Sequence, residues 1–581
     1  MPRPSSAHNP PRYFFLFASF LRFALYGTKN PSPLRVPPRT SESSAFRLLP
    51  LFRVPTSAFR VSPALLLALL SSSPILARPA SFTPLGDLPG GVSRSRANAI
   101  SADATTVVGF SESSNGLEAF RWTLATGMTP LGDLHSTVSG PLDSVAHAVS
   151  GDGSIIVGVG HLASGQPRAF RWQSNTIAEL PLANLPAGAN SSAAFGLSRD
   201  GATAGGISYI DCMEKGCSGH PTVWTDFTPA ALPIINAPDA HIACILGVCA
   251  DGHFRVGHGD QAGSSPWIAN FFVTGISDLP HILGGIGYAE GIAVTPDTTV
   301  AVGVTASGRT APIQGHGEAV YWQNIDSPFA MGDLPGGEFY SEARAVADNA
   351  SVIVGWATTD SGRVAFVWDH VRGMRSLRDV LVNDFALDLT GWTLTEARGI
   401  SADGLTITGW GVNPSGNEEA WIAHADCLAP VYIREQSFNM TICPGTNAHF
   451  NAQMFYTTTP QQWRRDNVPL QDGPTGTGSV ISGAHTDTLT ITNVSTADNA
   501  YYDCVASNIC GEVSTIPARL TVGFPGDASG DAAVTIADIA VVVQHWGQTV
   551  PPGTLGDISF SGFVGLDDVA IIIRHWGLSC P

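Results

Sequence analysis

The chain has 581 residues, too many for a single ordinary hydrophobic core, so we expect several domains. Only 13% of the residues are charged, whereas glycine (62) and proline (41) are frequent, a composition typical of turn-rich β proteins. The formal net charge is −18, and residues 81–581 hold 20 basic against 47 acidic side chains, which argues against nucleic acid or an anionic membrane as the main partner.

The first 80 residues are basic and contain two apolar segments. Basic residues precede the run Ala64–Leu70 and small residues follow it, the pattern of a secretory signal peptide, which we place at 61–80. Residues 1–60 are then an extension that is disordered or that precedes the true start codon, with a second hydrophobic anchor at Tyr13–Tyr26 as the alternative. Either interpretation predicts an exported protein, secreted or at the cell surface. The run Ala64–Leu70 is too short to span a bilayer, and we expect no membrane span in the mature chain.

Seven units of about 50 residues repeat over the next part of the chain. Each unit contains an aspartate turn, at Asp103, Asp152, Asp200, Asp251, Asp297, Asp348 and Asp403. A glycine follows six or seven residues later, at Gly109, Gly158, Gly206, Gly257, Gly303, Gly355 and Gly409. A tryptophan then completes the pattern, at Trp122, Trp172, Trp224, Trp267, Trp322, Trp368 and Trp421.

The unit predicts four short antiparallel strands, because aspartate and glycine between β-branched runs favour a tight hairpin. Four strands in such a unit match the size of a propeller blade. The last unit lacks a fourth strand, and a spare copy, Phe82–Leu88, stands before the first turn. Pairing that segment with the last unit would cover the open sheet edges. We therefore predict a mainly β fold that begins with a seven-bladed β-propeller at residues 81–426.

The phrases "AISADAT–VVG", "AFRW" and "LGDLPGG" resemble the HAF repeats of exported bacterial proteins. The resemblance implies secretion and supplies no catalytic residue. Residues that recur in every unit are expected to serve packing, so a functional site should be built from residues that do not recur.

Residues 427–523 contain the pattern D-x-(G/A)-x-Y-x-C, formed by Asp498, Ala500, Tyr502 and Cys504. With this pattern the segment resembles an immunoglobulin-like sandwich. The resemblance implies a tyrosine corner at Tyr502 and a buried core tryptophan at Trp463. It departs at the position of the first cysteine, which is Ala452.

The chain has nine cysteines, and the sequence leaves their pairing open. Three pairings are possible for the four cysteines of residues 427–523; we favour Cys427–Cys510, which leaves Cys443 with Cys504. Earlier cysteines could bind zinc, but local disulfides suit an exported chain better: Cys212 with Cys217, and Cys244 with Cys249. Cys580 is then the odd thiol, and is free, dimer-forming or an attachment point.

Residues 524–581 contain two loop–helix copies that start 30 residues apart and end in "HWG". Each loop offers oxygen ligands at alternating positions, the pattern that calcium requires. The first loop offers Asp527, Ser529, Asp531, the Ala533 carbonyl, Thr535 and Asp538. The second offers Asp557, Ser559, Ser561, the Phe563 carbonyl and Asp568, and has Gly565 where the first has threonine. The alternative is a degenerate helical pair that needs no metal.

The two copies resemble a dockerin domain, and the ending "HWGLSC" resembles the planctomycete (GC) type. The resemblance implies calcium as cofactor and a cohesin-like or cell-surface protein as partner. The repeated His–Trp pairs are expected to pack at the helix ends and not to form a ligand surface: His545, Trp546, His575 and Trp576.

These features predict an exported binding or scaffolding protein that is not an enzyme, whose propeller could bind polysaccharide. A polysaccharide-degrading hydrolase, or an accessory protein of polysaccharide catabolism, is the alternative, and a cell-envelope structural protein is the third. A hydrolase would require non-repeated carboxylates at one mouth of the propeller channel.

Overall fold

The computed structural model describes residues 79–136, 140–184, 189–209, 219–232, 243–261, 265–272, 276–279, 289–306, 317–324 and 327–580. The chain from Leu76 onward belongs to one structural unit. The expected N-terminal extension, almost all of the expected signal peptide, and Cys212 and Cys217 lie outside the described residues. Within the described residues, no helix is long and apolar enough to cross a bilayer.

The first part of the fold, which we call the seven-sheet module, extends from Ser81 to His424. Its strands begin with β1 (Ser81–Pro84), β2 (Gly90–Ile100), β3 (Thr106–Ser113), β4 (Gly116–Thr123), β5 (Gly127–Gly132), β6 (Leu142–Asp143), β7 (Val145–Val149), β8 (Ile155–His161), β9 (Pro167–Gln173) and β10 (Thr176–Glu179). The middle strands are β11 (Ser191–Leu197), β12 (Thr203–Tyr209), β13 (Gly219–Thr225), β14 (Thr228–Ala231), β15 (Ala243–Val248), β16 (Arg255–Gln261), β17 (Ser265–Phe272), β18 (Ile276–Asp278), β19 (Ala289–Val294), β20 (Val300–Thr305), β21 (Glu318–Gln323) and β22 (Ser327–Gly332). The last elements are β23 (Ser341–Val346), β24 (Ile353–Thr359), β25 (Gly362–Asp369), β26 (Gly373–Ser376), helix α1 (Leu377–Asn383), β27 (Thr393–Ile400), β28 (Thr406–Val412) and β29 (Glu418–His424).

These strands form seven separate antiparallel sheets. Six sheets each follow the chain order of four strands, and one of them gains β6, which pairs in parallel with β4. The seventh consists of β27, β28, β29 and the N-terminal strand β1, with Phe82 opposite Ala423. The first strands of successive sheets contact one another in the order β2, β7, β11, β15, β19, β23 and β27, and β27 contacts β2. The N-terminal strand therefore completes the last sheet, as expected from the spare copy.

The aspartate turns join the first and second strands of each sheet through one hydrogen-bond pattern. The aspartate Oδ1 accepts the N–H two residues later and a hydroxyl or thiol two residues earlier, at Asp103, Asp152, Asp200, Asp251, Asp297 and Asp403. In the sixth turn the expected residue, Asp348, is wrong by one position. Asn349 accepts the Ser351 N–H at 3.0 Å, whereas Asp348 accepts from Arg199 at 2.6 Å.

The repeated glycines are required by a close approach of two backbones. A Cβ atom would lie 1.9–2.0 Å from a first-strand carbonyl oxygen at Gly109, Gly158, Gly206, Gly257, Gly303, Gly355 and Gly409. No side chain fits there, so the sevenfold glycine has a steric cause.

The tryptophan marker is sevenfold in the sequence but not in the strand register. Counted from the repeated glycine, one third-strand position is occupied by Trp122, Trp172, Trp224, Trp322 and Trp368. Phe272 occupies that position in the fourth sheet and Ala423 in the seventh. Trp421 instead faces Gly409, as Phe120 faces Gly109. Spacing alone could not distinguish these two neighbouring core positions.

The second part of the fold is a pair of sheets packed on one core. One sheet has the order β30-β32-β37-β36-β35, with β30 (Tyr432–Gln436), β32 (Ala448–Phe455), β35 (Gly473–Pro474), β36 (Val480–Ser482) and β37 (Thr488–Thr492). The other has the order β31-β40-β38-β33-β34 and gains β39, with β31 (Met440–Ile442), β33 (Gln462–Arg465), β34 (Val468–Pro469), β38 (Ala500–Asn508), β39 (Gly511–Ser514) and β40 (Ala518–Val522). Trp463 is buried, and the Tyr502 hydroxyl donates to the Asp498 carbonyl at 2.9 Å, so the expected core tryptophan and tyrosine corner are present.

The C-terminal part contains helices α2 (Ile536–Gln544) and α3 (Leu566–Arg574), each after an aspartate loop. The two copies pack reciprocally, because the segment after each helix pairs with the loop of the other copy. Val534 N–H donates to the Leu578 carbonyl at 2.7 Å, and Val564 N–H donates to the Gln548 carbonyl at 3.0 Å. A small core closes between them, formed by Val534, Val542, Val550, Val564 and Ile572.

The disulfides differ from the expected pairing in one of the two bonds near the C-terminus. Cys427 is bonded to Cys510, the favoured pair. Cys443 is bonded to Cys580 and not to Cys504, so Cys580 is not the odd thiol. Cys504 is a free thiol, because the position of its usual disulfide partner is occupied by Ala452. Both residues are buried in the sandwich core, where Cys504 pairs with Trp463 on the neighbouring strand.

The expected bond between Cys244 and Cys249 is also wrong. Cys249 is a buried thiol whose Sγ donates to Asp251 Oδ1 at 2.9 Å and accepts the Phe254 N–H at 3.1 Å. Ser101 makes the same two bonds in the first turn, to Asp103 and from the Thr106 N–H. Cys249 therefore stands in place of the turn serine, and "CADG" in the fourth unit corresponds to "SADA" in the first.

Candidate functional site

The first C-terminal loop brings three carboxylates together. One oxygen from each of Asp527, Asp531 and Asp538 lies within 4.8 Å of the others. Asp538 is buried at the start of α2, Asp527 is half-buried, and Asp531 is exposed. Three of the residues that the sequence predicted as calcium ligands therefore converge on one point.

Backbone donors hold two of these carboxylates in position. Asp527 accepts the N–H groups of Gly530, Asp531 and Ala532 at 2.8–3.1 Å. Asp538 accepts from the backbone of Ser529 at 2.8 Å and of Thr535 at 2.7 Å. The loop thus wraps around the carboxylate of Asp527. Asp538, in the first turn of α2, holds it through Ser529 near its beginning and Thr535 near its end.

The electrostatics of the first loop reflect like charges at short distance. Burial raises the pKa of Asp527, and the nearby carboxylates of Asp538 and Asp531 raise it further. Burial also acts on Asp538, but the donors from Thr535 and Ser529 outweigh it and lower the pKa of that carboxyl. A cation between the three groups would remove the repulsion, and carboxylate oxygens are the ligands that calcium prefers.

The second loop has the same backbone but not the same charge. Asp557 accepts the Ser561 N–H at 3.0 Å and the Gly562 N–H at 2.8 Å, and Asp568 accepts from Ser559 at 2.8 Å. The hydroxyl of Ser561 donates to the Phe563 carbonyl at 2.9 Å, the oxygen predicted as a ligand. The pKa of Asp557 is lowered, because backbone and hydroxyl donors outweigh its burial. Two carboxylates and internal hydrogen bonds thus replace the triad of the first loop.

The remaining predicted ligands lie at the edges of the loops. Ser529 donates its hydroxyl to Asp527 at 3.4 Å, and Ser559 donates to Asp557 at 3.1 Å. Thr535 is the N-cap of α2, and its hydroxyl accepts the Ala537 N–H at 3.2 Å. The Ala533 backbone forms a bridge with Ser579.

Large apolar side chains are exposed in corresponding places on the two copies. The pairs are Ile536 with Leu566, Val543 with Ile573, and Trp546 with Trp576. Trp546 and Trp576 are 48% and 51% exposed, so about half of each side chain is accessible to solvent. Their histidine neighbours do bond locally, with Nδ1 of His545 and His575 against the Val541 and Ile571 carbonyls.

The seven-sheet module contains buried carboxylates that do not recur in all seven sheets, which the sequence analysis did not identify. Glu342 lies 2.9 Å from Arg344, and Glu396 lies 2.7 Å from Arg398 and also contacts Arg363. Burial raises the pKa of Glu342. Burial acts likewise on Glu396, but Arg398 and Arg344 hold its pKa down to about 2. Both carboxylates are buried behind their arginines, a setting that suits ion pairing more than contact with a substrate.

Comparison with known proteins finds a family match for residues 431–522. Residues 431–522 match the family of immunoglobulin I-set domains. Titin domain M3 is 23% identical and titin domain I10 is 26% identical, each aligned over 16% of this chain and 96% or 97% of its own, with TM-scores of 0.14 and 0.13. Dscam1 Ig7 is 22% identical over 16% of this chain and 97% of its own, with a TM-score of 0.14. No curated protein matches the chain. With the buried Trp463, the Tyr502 corner and the two packed sheets, residues 431–522 form an immunoglobulin I-set domain.

Proposed function

We propose that this protein is an exported binding or scaffolding protein whose C-terminal part is a calcium-dependent docking module of the dockerin type. The convergence of Asp527, Asp531 and Asp538 is the observation that carries the proposal. The I-set domain would act as a spacer between this module and the seven-sheet module. Two disulfides favour an oxidising, extracellular or cell-surface location.

The seven-sheet module would be a seven-bladed β-propeller that presents a ligand surface. Three observations support this: seven small sheets in chain order, a last sheet completed by β1, and first-strand contacts that return from β27 to β2. Propellers hide their sheet edges in this way and build sites from loops and channel residues.

Calcium would occupy the first loop through oxygen atoms of its three carboxylates. When bound, the ion supplies positive charge that holds the loop against the start of α2; it takes no part in chemistry. The second loop would be a weaker site, because Ser561 supplies a hydroxyl where Asp531 supplies a charge, and affinity depends on the number of charged ligands.

Docking would use the exposed apolar residues that the two copies share. Monomeric soluble proteins rarely expose contiguous apolar surface without a use. The aromatic members, Trp546 and Trp576, are of the type that dominates protein interfaces. A cohesin-like or cell-surface protein is the proposed partner.

Calcium titration of the purified chain by isothermal calorimetry tests the metal proposal. Asp531→Ser should weaken binding at the first loop by about 100-fold, because it removes one of three converging charges while leaving a polar side chain. Asp567→Ser is the matched control, since Asp567 is exposed on α3 and is not one of the three converging carboxylates.

Wild-type chain that gives no calcium heat would contradict the proposal. Equal affinity of the Asp531→Ser and Asp567→Ser variants would also contradict it, because calcium would then bind elsewhere.

A further inference from the structure

A β-bulge occurs at the same place in all seven first strands. At that place the pairing of each first strand with its second strand skips one residue. The skipped residues are Asn98, His147, Phe195, Leu246, Ile292, Arg344 and Arg398. All seven line one cavity of about 260 Å³, which we call the central cavity. Bulges re-aim side chains and are frequent beside functional sites.

The seven bulge residues differ in chemistry, and similar residues are neighbours. Four successive first strands, β23, β27, β2 and β7, carry polar residues: Arg344, Arg398, Asn98 and His147. The other three, β11, β15 and β19, carry apolar residues: Phe195, Leu246 and Ile292. The framework is sevenfold but its lining is not, which is the property expected of a site.

The polar side of the cavity is held by a chain of hydrogen bonds. Arg398 donates from Nε to Glu396 at 2.7 Å and from Nη1 to the Asn98 side-chain oxygen at 3.3 Å. Asn98 donates in turn to the Ala146 carbonyl at 2.8 Å. A guanidinium has five N–H donors in a rigid plane, so donors of Arg398 are left for a bound molecule after these two bonds.

The charges behind the cavity wall favour a singly charged ligand. Glu342 interacts electrostatically with Glu290, Glu396, Arg344 and Arg398, and none of the three carboxylates lines the cavity. Arg344, Arg398 and Arg363 balance them, so the wall presents guanidinium groups without a large net charge. Because the wall has little net positive charge, a singly charged carboxylate that pairs with a guanidinium edge suits it better than a dianion such as phosphate.

The apolar side of the cavity suits an aromatic or branched hydrocarbon group. The ring of Phe195 lies 5.1 Å from that of His147, where the apolar and polar residues meet. The enclosed position of His147, together with Arg398, lowers the pKa of its imidazole to about 4. His147 is therefore neutral at pH 7 and extends the surface against which an uncharged ring can pack.

We propose that the central cavity binds a small organic carboxylate, with its carboxylate on Arg398 and Arg344 and its apolar group against Phe195, Leu246 and Ile292. Sites for small molecules combine an apolar lining with a few placed polar groups in this way.

Thermal shift and calorimetric titration of the full chain with benzoate, phenylacetate and isovalerate test the proposal, with benzamide as the uncharged control. The carboxylates should bind saturably and benzamide should not. Arg398→Gln should weaken binding by at least about ten-fold, because it removes a charge-assisted hydrogen bond. Asn98→Asp should do the same by placing an internal carboxylate beside Arg398, and it keeps the side-chain size if Arg398→Gln disturbs folding. Arg434→Gln, at an exposed site on β30, is the matched control and should bind as wild type does.

Absence of saturable binding by all three carboxylates would overturn the proposal. Unchanged affinity in a folded Arg398→Gln or Asn98→Asp variant would also overturn it, as would equal binding of benzamide. The ligand titrations are performed both with calcium and with a chelator. Binding at the central cavity is therefore measured independently of the C-terminal loops, and a failure of the calcium proposal would be seen in a separate experiment.

Discussion

The repeated glycines show how one atom can determine a whole strand pair. Each faces the carbonyl of the first-strand residue two positions before the bulge residue, at a distance where a Cβ would overlap the oxygen. The glycine therefore allows the bulge, and the bulge directs its residue into the central cavity. Within each unit, the repeated glycine and the bulge residue that lines the central cavity are therefore structurally linked.

Gly158→Ala should strongly destabilise the seven-sheet module, because its Cβ would lie 2.0 Å from the Val145 carbonyl oxygen. We expect a loss of more than about 3 kcal/mol in the free energy of unfolding, measured by denaturant titration. Gly127→Ala is the control, since Gly127 has φ +65° but open space around it, and should cost about 1–2 kcal/mol. Equal losses for the two variants would refute the steric explanation.

Sequence reasoning misplaced residues whose side chain can serve two structural roles or whose neighbour can serve the same role. Asp348 and Asn349 can both accept the turn hydrogen bonds, and only the backbone shows that Asn349 does. Cys249 is a cysteine and was therefore expected to form a disulfide, but it occupies the position of the turn serine and bonds to the turn aspartate. The bulge residues could not be recognised from any single unit, because their common position becomes visible only when the seven units are aligned on the repeated glycine.

The two C-terminal elements show how a fold can be retained while its charge changes. Both loops use the same backbone donors around their first and last aspartates. Position five differs: Asp531 adds a third carboxylate, whereas Ser561 bonds to a carbonyl within the loop. The alternating oxygen pattern predicted both loops from sequence, but this internal bond could be seen only in the structure.

Ser561→Asp should strengthen calcium binding at the second loop, because it restores three carboxylates and breaks the bond to the Phe563 carbonyl. We expect about a ten-fold gain or more in affinity, measured by calorimetry in the Asp531→Ser background, where the first loop is expected to bind about 100-fold more weakly. Ser559→Asp, two residues earlier, tests whether any added charge has the same effect. An unchanged affinity of the second loop in the Ser561→Asp variant would show that charge count does not decide its affinity.

At the scale of the whole molecule, an aromatic cluster joins the seven-sheet module to the I-set domain. His370 follows β25 and stacks on Tyr432 at 5.1 Å and on Tyr456 at 5.8 Å. Asn508 donates to the carbonyls of Ala429 and Tyr456 at 3.0 and 2.9 Å, beside the Cys427–Cys510 bond. The sequence predicted the two parts and this disulfide, but it could not predict the cluster, whose members are far apart along the chain.

This junction should weaken in mild acid. Burial, with Arg434 nearby, lowers the pKa of His370 to about 4, below the value of about 6.5 in an unfolded chain. Below about pH 6.5 the unfolded chain therefore takes up a proton that the folded chain does not, so stability falls toward pH 4. The loss at about pH 5 is at most about 2 kcal/mol, and about 1 kcal/mol after screening of this partly exposed ring.

Thermal unfolding of wild type and His370→Gln between pH 7 and pH 4 measures the effect. The variant should lose less stability on acidification than wild type does, while His449→Gln, at an exposed site on β32, should follow wild type. Parallel curves for His370→Gln and wild type would exclude a contribution from this imidazole.

The bond between Cys443 and Cys580 changes the route by which tension passes through the molecule. Tension applied at Cys580 reaches Cys443 through the disulfide, and from there it follows the backbone to Cys427, next to the last strand of the seven-sheet module. Helices α2 and α3, both aspartate loops and strands β32–β40 lie outside that route. The two aspartate loops would then carry none of the tension applied at Cys580, until a reductant opens the bond and places them in series with the force.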